Sequence, residues 1–174
     1  LGLYNNKPLV WIDVPASAKT PMEEKEISKS RPCEVSVIKK ELSRILMANA
    51  KFEIGIITFY SKQAELLKNM IDEEFPSDVH RISVGTVDAF QGKEFDVVIL
   101  SAVRSNNENE MNKRVGFLNN NNRLCVAFSR AKRLLITVGD SKTVAHDGNN
   151  AIIEPLNELL KRSKQEEICL LYTS

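Results

Sequence analysis

Two arginines, Arg123 and Arg130, have the side-chain chemistry and spacing to bind a phosphate group. Residues seven apart lie nearly two turns along an α-helix and about 20° out of register, so both guanidiniums fall on one face with Ala127 between them. A guanidinium suits phosphate because it stays charged and its planar fork donates two parallel hydrogen bonds. A solvated basic surface would show the same spacing, so the pattern leaves both interpretations open.

A second polar group, Gln91 to Glu94, lies between two apolar runs. Gly92 permits a tight turn or the close approach of a ligand to the backbone. The Glu94 carboxylate can accept hydrogen bonds from a ribose hydroxyl. Upstream, Thr86 has a hydroxyl for a backbone phosphate, and Asp88 has a carboxylate that can orient a neighbouring arginine. An ordinary turn with simple caps explains the same residues, so this interpretation also stays open.

Several other chemistries lack the residues they need. The chain has no Gly-x-x-x-x-Gly-Lys-Ser/Thr phosphate loop, no Gly-x-Ser-x-Gly elbow, and no Asp–Glu pair after an apolar strand to hold magnesium. The cysteines and histidines do not have the spacing of a metal site, and none is predicted. Cys125 falls in the apolar pattern of its helix and Trp11 in an apolar run, so both are predicted to be core residues.

Composition narrows the class of protein. With 174 residues, 43% of them apolar, the chain can form one domain. Its 24 Lys and Arg nearly balance its 23 Asp and Glu, so the net charge does not indicate a nucleic-acid partner. Three widely spaced cysteines fit a reducing, intracellular compartment, cytoplasmic or nuclear. No apolar run approaches a membrane span and no signal peptide is visible. The first residue, Leu1, is not methionine, so we expect a fragment of a longer polypeptide.

The elements that must position these side chains are visible as apolar patterns. Five apolar runs are predicted to be buried strands: Leu9–Val14, Ile54–Thr58, Ile82–Val87, Val97–Val103 and Leu134–Val138. Helical spacing predicts helices over residues 34–47, over 61–75, from 119–122 to about Lys132, and over 152–160. Residues 16–31 and 105–112 are predicted to be surface loops, and residues 162–174 a poorly defined tail.

Apolar strands separated mostly by helices predict a parallel sheet covered on both faces. The expected fold is therefore an α/β three-layer sandwich forming a single domain over residues 1–174. Thr86 and Arg104 lie at the ends of predicted strands, where α/β proteins commonly carry their chemistry.

The chain resembles the second RecA-like domain of superfamily 1 helicases, a P-loop NTPase-type fold. The branch contains the nonsense-mediated-decay helicase, senataxin-like proteins and Dna-two-type nucleases. Residues 86–94 match that family's motif V, and residues 122–132 match motif VI, usually R-L-N-V-A-x-T/S-R-A-K/R. Residues 116–119 match the lead-in to motif VI, and residues 56–63 resemble the family's I-I-T-P-Y-x-x-Q segment. The motifs occur in the family's order over residues 9–145, and together they favour the functional interpretations left open above.

The resemblance implies a role for each matching residue of the nucleotide site. Arg130 would be the arginine finger that reaches the γ-phosphate of ATP, a group worth about 10³–10⁵ in rate. Glu94 and Gly92 would contact the nucleotide's ribose and phosphate side, and Gln91 and Arg123 would support the same cleft.

The resemblance also implies a route for single-stranded DNA or RNA. Thr86, Thr58 and Tyr60 would lie along the strand channel, and Arg104 would reach a phosphate or brace the cleft. Asp88 would be a structural partner of motif VI rather than a catalyst.

Two positions depart from the family pattern, Phe59 in place of proline and Cys125 in place of asparagine. Neither change removes a charge from the cleft. The Walker A lysine and Walker B acidic pair do not occur in this chain and are expected upstream of Leu1. The resemblance therefore implies a parent that binds ATP with Mg²⁺ between this lobe and a first RecA-like lobe. The chain alone is expected to hold no cofactor and to be inactive as an ATPase.

Three functions remain to be distinguished. The first is the C-terminal motor lobe of an ATP-dependent helicase. The second is a nucleic-acid-binding lobe that keeps the fold without turnover. The third is a stand-alone small-molecule enzyme whose motifs match by chance.

Overall fold

The computed structural model describes residues 3–48, 51–90, 92–165 and 169–171. In chain order, its strands are β1 (Leu9–Asp13), β2 (Ile54–Thr58), β3 (Ile82–Thr86), β4 (Phe95–Ser101), β5 (Ala131–Gly139), β6 (His146–Asp147), β7 (Asn150–Ala151) and β8 (Cys169–Leu171). Six of them form one parallel sheet in the order β3-β2-β4-β5-β1-β8. The other two, β6 and β7, pair as a separate antiparallel hairpin.

The described residues form six helices: α1 (Pro32–Ala48), α2 (Ser61–Glu74), α3 (Met111–Val115), α4 (Asn121–Phe128), α5 (Ser141–Val144) and α6 (Glu154–Gln165). Short 3₁₀ turns occupy Leu3–Asn6, Val79–Arg81, Val87–Phe90 and Gly116–Leu118. Helices α1 and α2 pack on one face of the sheet, and α4 and α6 pack on the other. The predicted three-layer α/β sandwich is confirmed.

The core divides into two apolar layers because side chains alternate across each strand. In β2, Ile54 and Ile56 face the layer under α1 and α2, whereas Ile57 faces the opposite layer. Trp11 of β1 belongs to the second layer and is fully buried, as predicted. Both faces are covered, which explains why the strands read as unbroken apolar runs.

On the face that packs against α4 and α6, one part of the sheet is covered by a loop segment instead of an α-helix. Residues 87–94 connect the carboxyl end of β3 to the amino end of β4, and they place Phe90 against Phe95 with ring centroids 5.2 Å apart, edge to face. The Phe95 ring lies so close to β2 that a Cβ on Gly55 would approach it to 2.5 Å. Glycine at position 55 therefore lets an aromatic pair close this face of the core.

The structure corrects several predicted boundaries. Both β4 and β5 begin earlier than expected, because Phe95 pairs with Ala131 ahead of the apolar runs. Helix α4 ends at Phe128 instead of about Lys132, because β5 starts at Ala131.

Two regions outside the predicted elements also differ. The polar segment 16–31 is not wholly a surface loop, because Thr20, Ser30 and Arg31 are buried. In the predicted tail, α6 continues to Gln165 and β8 adds a sixth strand beside β1, outside the five expected.

Candidate functional site

Arg130 lies between the end of α4 and the start of β5. Its Nε donates to the Val126 carbonyl oxygen at 3.1 Å, and its Nη1 donates to the Lys93 carbonyl oxygen at 3.2 Å. The Phe95 amide donates to the Arg130 carbonyl oxygen at 2.8 Å. These contacts hold the guanidinium against the segment between Gly92 and Glu94. Its Nη2 makes no hydrogen bond within the described residues and remains available to a ligand.

Gly92 and Glu94 flank the Lys93 carbonyl that Arg130 contacts, and both are exposed. Gly92 has φ +80°, a left-handed conformation that favours glycine, and nothing lies within 4 Å of a Cβ built there. Its requirement for glycine is therefore set by the backbone and not by crowding. Gln91, predicted to support the same cleft, lies outside the described residues.

The prediction that Arg123 and Arg130 share one face of a single helix is wrong. Arg130 lies beyond the end of α4, and Ala127, expected between the two guanidiniums, is fully buried. Arg123 pairs instead with Asp88, with Nη2 and Oδ2 3.0 Å apart and side-chain exposures of 40% and 66%. The cavity that Arg123 lines does not include Arg130, Gly92 or Glu94.

Cys125 is also placed differently from the prediction, because it is exposed and not a core residue. Leu124 and Ala127 carry the buried face of α4. Because these two residues are the buried residues of the helix, its buried stripe is narrow, and Cys125 lies beside that stripe in solvent.

The residues predicted for the strand channel gather at the carboxyl ends of β2, β3 and β4. Thr58 of β2 stands in register with Thr86 of β3 on one side and with Ser101 of β4 on the other. Thr86 is half-buried, whereas Thr58 is fully buried and its Oγ1 has no hydrogen-bond partner. Thr86 is therefore the hydroxyl that this edge presents to solvent, and Thr58 lies beneath the surface.

A cavity of about 390 Å³ opens at this edge of the sheet. It is lined by Ile27, Ser28, Phe59, Tyr60, Ser61, Thr86, Val87, Asp88, Phe117 and Arg123. The structure thus brings together Tyr60, Thr86, Asp88 and Arg123, four residues that the sequence analysis divided among three roles.

Arg104 lies beside this cavity and is buried. Its Nη1 donates to the Tyr60 hydroxyl at 3.2 Å, its Nη2 donates to the Lys113 carbonyl oxygen, and its Nε lies 3.0 Å from a Glu23 carboxylate oxygen. Burial raises the pKa of Glu23 and of Tyr60, while Arg104 opposes both shifts. In this structure the guanidinium braces the site from below instead of projecting into it.

Sequence reasoning missed a buried polar network under the same edge. Arg31 and Glu34 form an ion pair at 3.3 Å, and neither side chain is exposed. Glu34 also accepts hydrogen bonds from Ser101 Oγ at 2.7 Å and from the Val103 amide at 3.0 Å. Burial raises the pKa of Glu34, although Arg31 and these donors favour its carboxylate.

Gln63 extends this network to α2. Its Nε2 donates to Ser101 Oγ at 3.0 Å, and its Oε1 accepts from the Arg31 amide at 2.9 Å. The only signal in the sequence was an Arg–Glu spacing of three at a helix start, which surface pairs show as well.

Two features are absent from the described residues. No group of three or more His, Cys, Asp or Glu side chains could hold a metal ion. None of the described helices combines the length and apolar character needed to cross a membrane.

Comparison with known sequences identifies relatives of this chain. A family model described as an AAA domain matches residues 3–142. DNA polymerase alpha-associated DNA helicase A of Saccharomyces cerevisiae is 36% identical over 146 residues, which cover 82% of this chain and 20% of that protein. Putative regulator of nonsense transcripts 1 of Takifugu rubripes is 37% identical over 141 residues, 78% of this chain and 12% of that protein.

A further relative and a solved structure agree with these matches. Helicase required for RNAi-mediated heterochromatin assembly 1 of Schizosaccharomyces pombe is 40% identical over 62% of this chain and 10% of that protein. The chain thus spans about a tenth to a fifth of the length of these relatives. The C-terminal domain of a possible DNA helicase from Lactobacillus plantarun WCFS1 superposes with TM-score 0.50 and 13% identity, covering 94% of this chain and 84% of that one. At that identity, the superposition supports the fold alone.

Proposed function

The chain belongs to the AAA domain family, among the superfamily 1 helicases, and from this premise we propose that it is the C-terminal motor lobe of an ATP-dependent nucleic-acid helicase. In this proposal the lobe supplies the arginine finger, part of the nucleotide cleft and part of the single-strand channel. The full-length protein hydrolyses ATP, and the chain alone does not.

The position of Arg130 against the Lys93 carbonyl is the observation that carries the proposal. Two of its guanidinium nitrogens are anchored to main-chain carbonyls, and the remaining nitrogen is unbonded within the described residues. A guanidinium fixed in this way loses little conformational entropy on meeting a phosphate and stays charged. These are the properties that an arginine finger needs to stabilise negative charge on a phosphoryl group in transfer.

The exposed residues beside Arg130 fit one side of a nucleotide. Glu94 offers a carboxylate to the ribose hydroxyls, and Gly92 leaves open backbone for a phosphate. ATP with Mg²⁺, when bound, supplies the phosphoryl group that is transferred to water. The described residues hold no cluster of metal ligands, so the proposal assigns magnesium to a first RecA-like lobe of the same polypeptide.

The single strand is assigned to the opposite end of the sheet. Arg130 precedes β5 and Glu94 precedes β4, whereas Thr58 and Thr86 end β2 and β3. The segment 87–94 runs between the two ends and carries Asp88, which pairs with Arg123. In the proposed motor, two lobes close and reopen around the nucleotide, and this segment transmits that motion to the bound single strand of nucleic acid.

Replacement of Arg130 by alanine in the full-length protein tests the proposal. We expect strand-stimulated ATP hydrolysis to fall by about 10³–10⁵, because the transition-state charge loses its guanidinium. Arg133→Ala is the matched control, since Arg133 lies three residues away, pairs with Asp96 at 3.1 Å and is 63% exposed. Steady-state release of phosphate measures both variants.

Wild-type turnover in the Arg130→Ala variant would refute the arginine-finger assignment. A wild-type protein that binds single strands without hydrolysing ATP would instead favour the second function, a nucleic-acid-binding lobe without turnover.

A further inference from the structure

An aromatic side chain, Phe117, is exposed at the cavity that gathers Thr86, Asp88 and Arg123. Its side chain is 58% exposed, although the flanking Val115 and Leu118 are fully buried. An apolar ring left in solvent between two buried anchors loses the stabilisation that burial would give it. Its exposure therefore needs a reason other than folding.

The local backbone fixes the ring in this position. Phe117 lies in the 3₁₀ turn Gly116–Leu118, and Gly116 has φ +53°. A Cβ on Gly116 would lie 2.5 Å from Arg104 Nη1 and 2.6 Å from the Tyr60 hydroxyl, so only glycine permits the turn to approach them. The turn is consequently pressed against a buried Arg–Tyr pair, and Phe117 projects from a rigid support.

Tyr60 supports the ring directly. The two ring centroids are 5.4 Å apart with an interplanar angle of 32°. Tyr60 is 3% exposed, so it stiffens Phe117 from beneath without offering its own face to a ligand. The exposed part of the Phe117 ring can accept a planar partner.

The other walls of the cavity show what that partner is. Thr86 and Arg123 provide a hydroxyl and a guanidinium, groups that contact phosphate and sugar. Ile27 is fully exposed and adds a second apolar wall. The next residue, Ser28, hydrogen-bonds Ser61 Oγ and the Lys62 amide, both at 3.0 Å, which holds this wall at the start of α2. An aromatic face beside phosphate-binding groups fits a nucleotide of a single strand, whose base stacks while its phosphate is bound.

We propose that Phe117 is a base-stacking platform, so that the cavity holds one unpaired nucleotide with its base on the Phe117 ring and its backbone against Thr86 and Arg123. The subsite rests on the proposed function, because it assumes that a single strand crosses this edge of the sheet. Phe117 would contact the base of the nucleotide, whereas Thr86 and Arg123 would contact only its phosphate and sugar.

A comparison of intact and abasic strands tests the subsite. The full-length protein is titrated, without nucleotide, with fluorescent oligothymidylate or oligouridylate and with an abasic strand of equal length, and anisotropy gives the dissociation constants. We expect Phe117→Ala to weaken binding of the intact strand by about 5- to 160-fold, the range of base–aromatic stacking. Binding of the abasic strand should not change, because that strand has no base to stack.

Matched variants separate stacking from simple apolar contact. Phe117→Trp should retain the affinity of the wild type because it keeps an aromatic face, and Phe117→Leu should behave like Phe117→Ala. Met111→Ala removes another partly exposed apolar side chain, 40% exposed and outside the cavity, and should leave both strands unaffected. The thermal midpoint should change little in all the Phe117 variants, because the ring is mostly exposed.

Three results would overturn the subsite: equal weakening on intact and abasic strands, no weakening on either, or full affinity in Phe117→Leu. Each leaves the motor proposal standing, because that proposal depends on the Arg130 ATPase result. If the wild type binds no single strand at all, both proposals fail together.

Discussion

At the scale of single residues, the ion pair between Asp88 and Arg123 connects the segment 87–94 to α4. Both side chains are substantially exposed, so water screens their attraction, and such pairs contribute roughly 0.2–1 kcal/mol to stability. The pair is therefore poorly suited to holding the fold together. We propose that it orients Arg123, which lines the cavity that contains Thr86 and Phe117.

This reasoning gives a prediction for Asp88→Asn. We expect the free energy of unfolding to change by less than about 1 kcal/mol, because the pair is solvated. We expect affinity for a single strand, or strand-stimulated ATP hydrolysis, to fall by more than that change in stability can explain. Denaturant unfolding, strand titration and phosphate release supply the three measurements.

Asp96→Asn provides the matched control for Asp88. Asp96 pairs with Arg133 at 3.1 Å and does not line the cavity that contains Thr86 and Phe117. An equal functional loss in both variants would show that orientation of Arg123 is not what Asp88 provides.

At the scale of elements, α1 and α2 are tied to the strand ends by buried polar groups as well as by apolar contacts. The ion pair of Arg31 with Glu34 has no exposed side-chain surface, and Glu34 reaches Ser101 and the Val103 amide at the end of β4. Gln63 joins α2 to the same point. This network fixes the start of both helices against the edge that carries Thr58 and Thr86.

Removal of Glu34 should therefore be costly. We expect Glu34→Ala to lower the free energy of unfolding by about 3–5 kcal/mol, because it leaves the Arg31 charge buried without its carboxylate and the Val103 amide unpaired. Glu74→Ala is the control, since Glu74 pairs with Lys39 at 2.7 Å between the same two helices with both side chains 43% exposed. Urea unfolding compares them, and equal losses would contradict a special role for the buried pair.

At the scale of the whole molecule, the residues assigned to nucleotide and to nucleic acid lie at opposite ends of the strands. Arg130 and Glu94 lie at the amino ends of β5 and β4, and Thr86 at the carboxyl end of β3. In the proposed function, the half-buried Arg130 guanidinium would contact a nucleotide from one side only. A second surface is needed to enclose the phosphates, and the proposal assigns it to another lobe of the polypeptide.

The isolated chain should consequently bind ATP weakly. We expect a dissociation constant above about 1 mM, equivalent to less than about 4 kcal/mol of binding free energy, because half a site offers few contacts. Calorimetric titration of residues 1–174 with ATP and Mg²⁺ measures it, with the full-length protein as the reference. Micromolar binding by the chain alone would favour a stand-alone small-molecule enzyme.

The sequence by itself determined five strands of the sheet, the approximate positions of the main helices and the family. Apolar runs such as Ile54–Thr58 and Val97–Leu100 can be identified without knowing their neighbours, because strands covered on both faces carry apolar side chains on both faces. The motif residues are contiguous in the chain, so their order can be read without knowing any contact.

Only the tertiary structure decided which of these residues meet. The early pairing of Phe95 with Ala131 ends α4 at Phe128, moves Arg130 off the helix and separates it from Arg123. The narrow buried stripe of α4 leaves Cys125 in solvent. An ion pair buries Arg31, although it belongs to a polar segment predicted to be a surface loop. Each outcome depends on contacts between residues distant in the chain, which local periodicity does not encode.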